Sequence, residues 1–357
     1  MITAGEANRK RISVSDQANF DSATFVSVII PCRNEENFIG KCLASFVAST
    51  YPKDRIEILV VDGMSEDKTR EVVAASSQSH PFIRLLLNPK KITPAALNLG
   101  IAESVGSIVI RADAHNTYPE DYVENCVRCL HSTGADNVGG PWITEPVADT
   151  LSARLVAAVL SSPFGVGNSQ FRISQKEGFV DTVPFGAFRR ELFGRIGNFN
   201  ERLLRNQDYD FNTRIRAAGG FIYQTPRLTT RYAPPASFGK LLHKTMRETQ
   251  WHMRTVAENP RALGVRHLVP AAFVLLLLSL ASLGVVHEQS RLAFEVLLSV
   301  YAVGALLFSI RAAARYGWDL LPVLPFGFFL FHASYGVSTF VGLLRLGTDP
   351  AAMAPYK

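Results

Sequence analysis

Three short stretches carry side chains able to do acid–base, metal or anion chemistry, each where an apolar run gives way. IVIRADAHNT ends a branched apolar run in Asp113 and, two residues on, His115. ILVVDGMS ends in Asp62, and VSVIIPCRNEE leads into Glu35 and Glu36. Further along, RNQDYDFN offers Asp208 and Asp210 at the opening of a polar, helix-like stretch. A carboxylate and an imidazole two residues apart can hold a divalent ion or a phosphate, and a second carboxylate elsewhere can accept a proton. Each has a bland alternative. Asp62 before Gly63 is a turn former, His115 a packed histidine, and Asp208 a first-turn acid steadying a helix.

Such groups need a scaffold. The runs FVSVIIP, IEILVVD, FIRLLLN, SIVIRAD and DNVGGPWI alternate with helical stretches. Continuous Val/Ile/Leu runs between helices predict an α/β fold with a mostly parallel sheet covered on both faces. Ligands in such sheets sit at the carboxyl ends of the strands. Thr93-Pro94 predicts a helix start, with Gly106 as its stop. A dinucleotide-binding Rossmann domain would need GxGxxG after the first strand, and this chain has PCRNEE. The four cysteines include one CxxC, Cys126 and Cys129, without a second pair to complete a zinc site. They read as bland thiols of a reducing compartment.

The 357 residues carry a net charge of +6, concentrated before an apolar end. Between Arg227 and His267 eight Lys/Arg face only Glu248 and Glu258, a collar suited to anionic headgroups rather than nucleic acid. Residues 268–286 hold no charge and span roughly 28 Å as a helix, near bilayer thickness. Two weaker spans follow at 292–310, with Glu295 near one end, and 320–344, where Pro322, Pro325 and His332 leave a kink or a re-entrant entry as the alternative to a plain span. Arg311 and Arg315 between them place that loop and the preceding domain on the cytoplasmic side, with three spans and an outside C-terminus. Over 237–259, Lys240, Lys244, Arg247, Trp251 and Arg254 share one helical face, and Phe238, Leu242, Met246, Met253 and Val256 form an apolar stripe. That pattern predicts a helix lying on the headgroups. The first 24 residues are polar, lack a signal-like apolar stretch and are expected to be a loosely ordered lead-in.

VSVIIPCRNEENFIGKCLASF, ILVVDGMSEDKT, RADAHN and RNQDYDFNTRIRAAGG, in that order, strongly resemble the family-2 glycosyltransferases with the GT-A nucleotide-sugar fold. RADAHNTYP, VPFGAFRRELF and RNQDYDFN, with the apolar tail, look most like membrane-attached glucosyltransferases of succinoglycan and related exopolysaccharide pathways. The resemblance implies a lead-in (1–24), a GT-A domain with a mostly parallel mixed sheet (25–232), an amphipathic interfacial region (233–267), about three transmembrane helices (268–346) and a tail (347–357). It also implies that Pro31, Glu35 (with Glu36 as its rival) and Asp62 hold the uracil and ribose of a UDP-sugar. Asp113 and His115 occupy the Asp-x-Asp position for a divalent metal, Mn²⁺ or Mg²⁺. The second Asp is His here, and imidazole favours Mn²⁺. Asp208, beside Gln207 where Glu is common, is the implied catalytic base, and Asp210 is the alternative. Arg189 and Arg190, after the permissive Gly186, are candidates for an acceptor or diphosphate contact, or for a solvated helix-opening pair. Trp251 and Arg254 join the acceptor side. QWHMR has the ingredients of the processive synthases' Gln-x-x-Arg-Trp in another order, which argues for one sugar per visit.

The implied activity is inverting transfer of a single sugar, glucose from UDP-glucose, to a polyprenyl-diphosphate-linked sugar acceptor. Its place would be a multi-pass protein of the cell inner membrane, its catalytic domain on the cytoplasmic face among membrane lipids, building exopolysaccharide or another surface glycan. The competitors are a processive β-glycan synthase and an inactive membrane scaffold that retains the nucleotide-sugar fold.

Overall fold

The computed structural model describes residues 24–348, so nearly all of the expected lead-in and most of the expected tail lie outside the described residues. The strands are β1 (Val26–Cys32), β2 (Ile56–Asp62), β3 (Ile83–Leu87), β4 (Ile108–Arg111), β5 (Asn137–Gly139), β6 (Trp142–Thr144), β7 (Gly178–Phe179), β8 (Ala187–Arg189), β9 (Ile222–Gln224) and β10 (Thr230–Tyr232). The described chain forms two compact units. One comprises the residues up to Gly140 with Lys176–Phe199 and Arg214–Leu228. The other comprises Pro141–Gln175, Asn200–Thr213 and the chain from Thr229 onward.

The first unit is built on an eight-stranded sheet in the order β3-β2-β1-β4-β8-β5-β9-β7. β1 runs parallel to β2 and β4, and β3 parallel to β2. β8 is antiparallel to both its neighbours, β5 is parallel to β9, and β7 closes the edge antiparallel. The branched runs of β1 and β2 are buried because helices cover both faces. Val28, Ile30, Ile58 and Val60 share a core with Leu43 and Phe46 of helix Ile39–Val47 and with Val123 and Val127 of helix Tyr122–Thr133. Ile29 points the other way and meets Gly100 of helix Thr93–Glu103, where an added Cβ would lie 2.5 Å from its Cγ2.

Two expectations change here. Thr93 lies inside the first turn, after an extended Ile92 whose side chain caps nothing, and the helix ends at Glu103, short of Gly106. Gly106 lets the chain pass β1 instead, since a Cβ would sit 2.6 Å from the Ser27 nitrogen. The run DNVGGPWI is two strands: β5 joins the main sheet, whereas β6 pairs with β10 in the second unit.

The second unit draws in 141–175 and 200–213, which the sequence places in the catalytic domain. The cause is apolar packing. Helix Leu151–Leu160 buries Leu155, Val156 and Val159 with Ala312, Leu324 and Phe328 of the C-terminal helices. Three helices, Val265–Gly284, Glu288–Tyr316 and Leu324–Leu346, are long and apolar enough to cross a membrane. The first two bury only 11% of their most apolar window, leaving Leu275, Leu278, Val300 and Leu307 outward. That inverts a soluble core and suits lipid. The residues that helix Glu288–Tyr316 buries are small, Ala305, Ser309, Ala312 and Ala313, and Gly336 of the third helix comes against Pro270 of the first.

The third apolar helix is continuous from Leu324 to Thr348, as a plain span requires. Pro325 falls in its first turn, where no intrahelical N–H is lost. His332 is satisfied by the Phe164 carbonyl at 2.8 Å and the Tyr301 hydroxyl at 2.9 Å. Helix Phe238–Glu258 departs in part from its pattern. Of the expected stripe Met253 is buried, Phe238 and Leu242 pack partly buried on the core and Met246 is exposed, while Leu241, Thr245, Thr249, His252 and Thr255 supply the rest of the buried side. Its small threonines let it run close along Leu324–Thr348, where a Cβ on Gly342 would come 2.8 Å from Met253 Cγ.

Candidate active site

In the first unit, parallel pairing brings the carboxyl ends of β1, β2 and β4 to one edge, so Cys32, Asp62 and Arg111 open loops side by side. The loops after β1 and β2 lock together through their backbones. The Asn34 N–H donates to Ser65 Oγ at 2.8 Å, Glu66 N–H to Asn34 Oδ1 at 2.8 Å, and Glu35 N–H to Thr69 Oγ1 at 2.7 Å. Asn34 and Met64 both adopt positive φ, 56° and 59°, as the tight apposition demands.

Asp62 is fully buried. Its carboxylate accepts the Ser65 amide at 2.9 Å and the Ser65 hydroxyl, and Arg70 Nε stands 3.8 Å away. Asp62, expected at the nucleoside, thus closes the strand-two edge beside the Glu35 loop while its carboxylate braces the Met64–Ser65 turn. Glu36 accepts the Lys68 N–H at 3.0 Å, ahead of helix Thr69–Ser79. Glu35 alone of the adjacent pair faces the strand-four tip, its Oε1 3.6 Å from His115 Nδ1.

At that tip, His115 Nε2 lies 3.8 Å from Asp113 Oδ2, and Asp113 Oδ1 lies 3.5 Å from Arg111 Nη2. The Asp113 N–H donates to Tyr118 Oη at 2.7 Å, fixing the turn. Burial pushes the Glu35 carboxyl up, His115 opposes this, and Asp113 adds to it. Burial also pushes the Cys42 thiol up to about 12 and raises Cys32, Cys126 and Cys129, and all four cysteines are buried and outside any disulfide. Arg111 escaped the sequence reading. It is buried at the end of β4, its guanidinium 5.6 Å from the Phe185 ring, and its N–H donates to the Gly186 carbonyl. The signal was present in IVIRAD: a cation closing an otherwise apolar buried strand needs an acid, and Asp113 is that acid.

Arg189 and Arg190 are not brought to this edge. β8 runs antiparallel, so Arg189 pairs with Ile108 at the far end of β4. Arg189 donates to the Leu130 carbonyl at 2.7 Å, and Arg190 to Gly106 at 2.5 Å and Ile101 at 3.3 Å. Both cap the C-terminal carbonyls of helices, whose dipoles attract cations. The PFG turn before them is what reaches the site edge, with Phe185 at φ 60°.

The second unit holds Asp208, Trp251 and Arg254. Asp208 is the second residue of helix Gln207–Ala217, entered through Asn206 at φ 59°. Two positions apart on a helix point roughly 200° apart, so Asp208 and Asp210 cannot share a role. Asp210 is buried and accepts from Asn259 Nδ2 at 2.9 Å, whereas Asp208 is partly exposed. Between them Tyr209 packs on His252 and His267. Burial, with Arg266 adding, holds His252 down to about 4. Arg254 lies 5.8 Å over the partly buried Trp251 ring.

Among the described residues no three His, Cys, Asp or Glu side chains form a metal cage. The donor set Asp113 and His115 nevertheless fits an open site, in which a substrate's oxygens and water would complete the shell.

Residues 27–197 match the model of glycosyl transferase family 2. The chain is 28% identical over 330 residues to a Methanococcus voltae dolichyl N-acetyl-α-D-glucosaminyl phosphate 3-β-D-2,3-diacetamido-2,3-dideoxy-β-D-glucuronosyltransferase, covering 90% of this chain and 98% of that one. It is 29% identical to the succinoglycan biosynthesis protein ExoA of Rhizobium meliloti, over 70% and 76% of the two chains. Glycosyltransferase AglE of Haloferax volcanii is 31% identical over 62% of this chain and 71% of its own. The fold is shared with a Pyrobaculum calidifontis mannosyltransferase solved with GDP-Man and Mn²⁺, at a TM-score of 0.56, 22% identity and coverage of 92% and 91%. With its mixed GT-A-like sheet, the motif-bearing strand ends and the three apolar helices that follow, the chain belongs to glycosyltransferase family 2.

Proposed function

We propose that the protein transfers one sugar, glucose from UDP-glucose, to a polyprenyl-diphosphate-linked sugar acceptor at the cytoplasmic face of the cell inner membrane. The observation that carries the donor half is the line Glu35–His115–Asp113–Arg111, each neighbour within 3.8 Å, at the edge where β1 and β4 end. The lipid acceptor is supported by the three outward-facing apolar helices and by the dolichyl-linked substrate in the name of the Methanococcus relative.

In this reading Pro31, Glu35 and Asp62 border the uracil and ribose, and Asp62 also braces the Met64–Ser65 turn. Asp113 and His115 would hold the divalent ion, Mn²⁺ in preference to Mg²⁺, and when bound it would neutralise charge on the departing diphosphate. Arg111 keeps Asp113 oriented. Asp208 accepts the proton of the acceptor hydroxyl as its oxygen bonds to the anomeric carbon. The bond from that carbon to the UDP oxygen breaks with inversion, and UDP leaves with the electron pair. Trp251 and Arg254 belong to the acceptor side.

Purified full-length protein should release UDP from UDP-glucose only when a polyprenyl-diphosphate-linked sugar is present. The panel should include other UDP-sugars and GDP-mannose, and the product should carry one added sugar. Release with GDP-mannose alone would replace the nucleotide in this reading, and a ladder of product lengths would replace single transfer.

A further inference from the structure

The second unit contains a cation–aromatic cluster that no step above uses. β6 and β10 pair in parallel, Trp142 opposite Thr230 and Tyr232 opposite Thr144. This offset puts Trp142 and Tyr232 on one face, and their rings stack 4.4 Å apart at 2°. Arg172, from helix Gln170–Ile173, sets its guanidinium carbon 4.6 Å from the Trp142 centroid, 5.2 Å from Tyr232 and 5.3 Å from Phe171. Lys244 reaches the same tyrosine from helix Phe238–Glu258, its Nζ 2.9 Å from the hydroxyl and 5.4 Å from the ring.

The charges do not balance. Among the described residues no carboxylate forms an ion pair with Arg172, and its Nη1 is sealed from water without a hydrogen-bond partner. Glu248, the carboxylate whose field reaches it, is bonded at 2.6 Å to Arg205 of the loop that leads into Asp208. Burial accordingly lowers the hold of Arg172 on its proton. Cation–π contacts offset only part of the cost of drying a guanidinium.

We propose that Arg172 and Lys244, above the Trp142–Tyr232 stack, bind the phosphate or diphosphate ester of the lipid-linked acceptor, an inference that rests on the transferase reading and deepens it. Arg supplies a planar fork for phosphate oxygens and Lys a mobile point charge. The stacked rings give the adjoining sugar or lipid stem an apolar wall, and Trp and Tyr suit the depth at which headgroups lie. The unit that carries these groups is the one that carries the apolar helices.

The test uses full-length protein in phosphatidylcholine nanodiscs with EDTA, which keeps metal-dependent diphosphate binding out of the readout. Calorimetric titrations compare inorganic pyrophosphate, polyprenyl diphosphate incorporated in the disc, and phosphatidylglycerol incorporated in the disc. Saturable binding of polyprenyl diphosphate, weakened at least tenfold by Arg172→Gln and several-fold by Lys244→Gln, is the expected result. Pyrophosphate should bind at the same residues but more weakly, which assigns the shared anion chemistry. Equal response to phosphatidylglycerol would make the site a general headgroup contact and overturn the acceptor assignment. In turnover, Lys244→Gln should raise KM for the acceptor about tenfold and leave KM for the sugar nucleotide unchanged. Lys244 is only partly buried, so this variant keeps the test open if Arg172→Gln does not fold. A lowered Tm with unaltered binding would mark the cluster as a structural plug and sink the proposal. Wild-type protein that binds pyrophosphate through Arg172 yet transfers no sugar to any lipid acceptor would overturn the transferase reading and leave the anion site standing.

Discussion

At the scale of single residues the structure separates neighbours that share a chemical type. Asp208 and Asp210 are both first-turn acids, but Asp210 is buried against Asn259 and Asp208 is partly exposed. Asp208→Asn keeps the shape and removes the proton acceptor, so kcat should fall about 10²–10⁴-fold with little change in Tm. Asp210→Asn should instead cost about 1–3 kcal/mol of stability through the altered bond to Asn259 and spare most of kcat. Near-normal turnover of folded Asp208→Asn would end its assignment as base. His115 gives a second contrast. An imidazole beside Asp113 predicts higher activity with Mn²⁺ than with Mg²⁺, and His115→Asp should shift that preference toward Mg²⁺. Equal rates with the two ions in the wild type would remove the support for imidazole ligation. Asp62, Asp113 and His115 stood out in the sequence because they close apolar runs, and Asp208 because it opens a polar, helix-like stretch. The bracing of Asp62 by Ser65 and Arg70 was not legible, because it depends on which residues lie across the turn.

At the scale of elements, direction matters more than type. Arg189 and Arg190 read as ligand contacts because they follow a glycine turn. The antiparallel run of β8, invisible in a short pattern, carries them to the opposite end of β4. Arg190→Ala should therefore lower stability by about 1.5–3 kcal/mol, the worth of hydrogen bonds to a charged group, without raising KM for the sugar nucleotide. Helix Phe238–Glu258 was legible as a helix with a basic face. Its buried side was legible only in part, because threonines and His252 pack where a hydropathy pattern looks for leucines. That choice has a pH consequence. His252 is held near 4 in the folded protein against its ordinary 6.5, so the folded state favours the neutral ring. The associated stability is complete above 6.5 and is lost as pH falls toward 4, amounting to roughly 2 kcal/mol by pH 5. Its neighbours Tyr209, His267 and Arg266 offer no carboxylate to reverse the sign. Melting in nanodiscs at pH 7.5 and pH 5 should show the loss, and His252→Gln should flatten it.

For the whole molecule, the division into sheet and apolar helices was plain from residues 268–286, since a charge-free run of bilayer length has few other uses. That 141–175 and 200–213 pack with those helices was hidden, because long-range apolar contacts such as Leu155 with Phe328 leave no local signature. The sidedness of the helices is the property on which the proposed supply of sugar nucleotide depends, and it can be read directly. Arg311 and Arg315 flank the turn before Leu324, whereas the turn after Gly284 pairs Glu288 with Arg291. The positive-inside bias predicts that the excess of cations faces the cytoplasm, with Trp318 inside and Gln289 outside. Both positions are exposed, and all four native cysteines are buried, so an introduced thiol reports against a quiet background. Gln289→Cys should react with a membrane-impermeant maleimide in intact cells, and Trp318→Cys only after the membrane is opened. The reverse pattern would place the sheet away from cytoplasmic nucleotide sugars and exclude a UDP-sugar drawn from that pool. Reaction of both in intact cells would mean that helix Glu288–Tyr316, which lies between the two positions, does not cross, against its long apolar course.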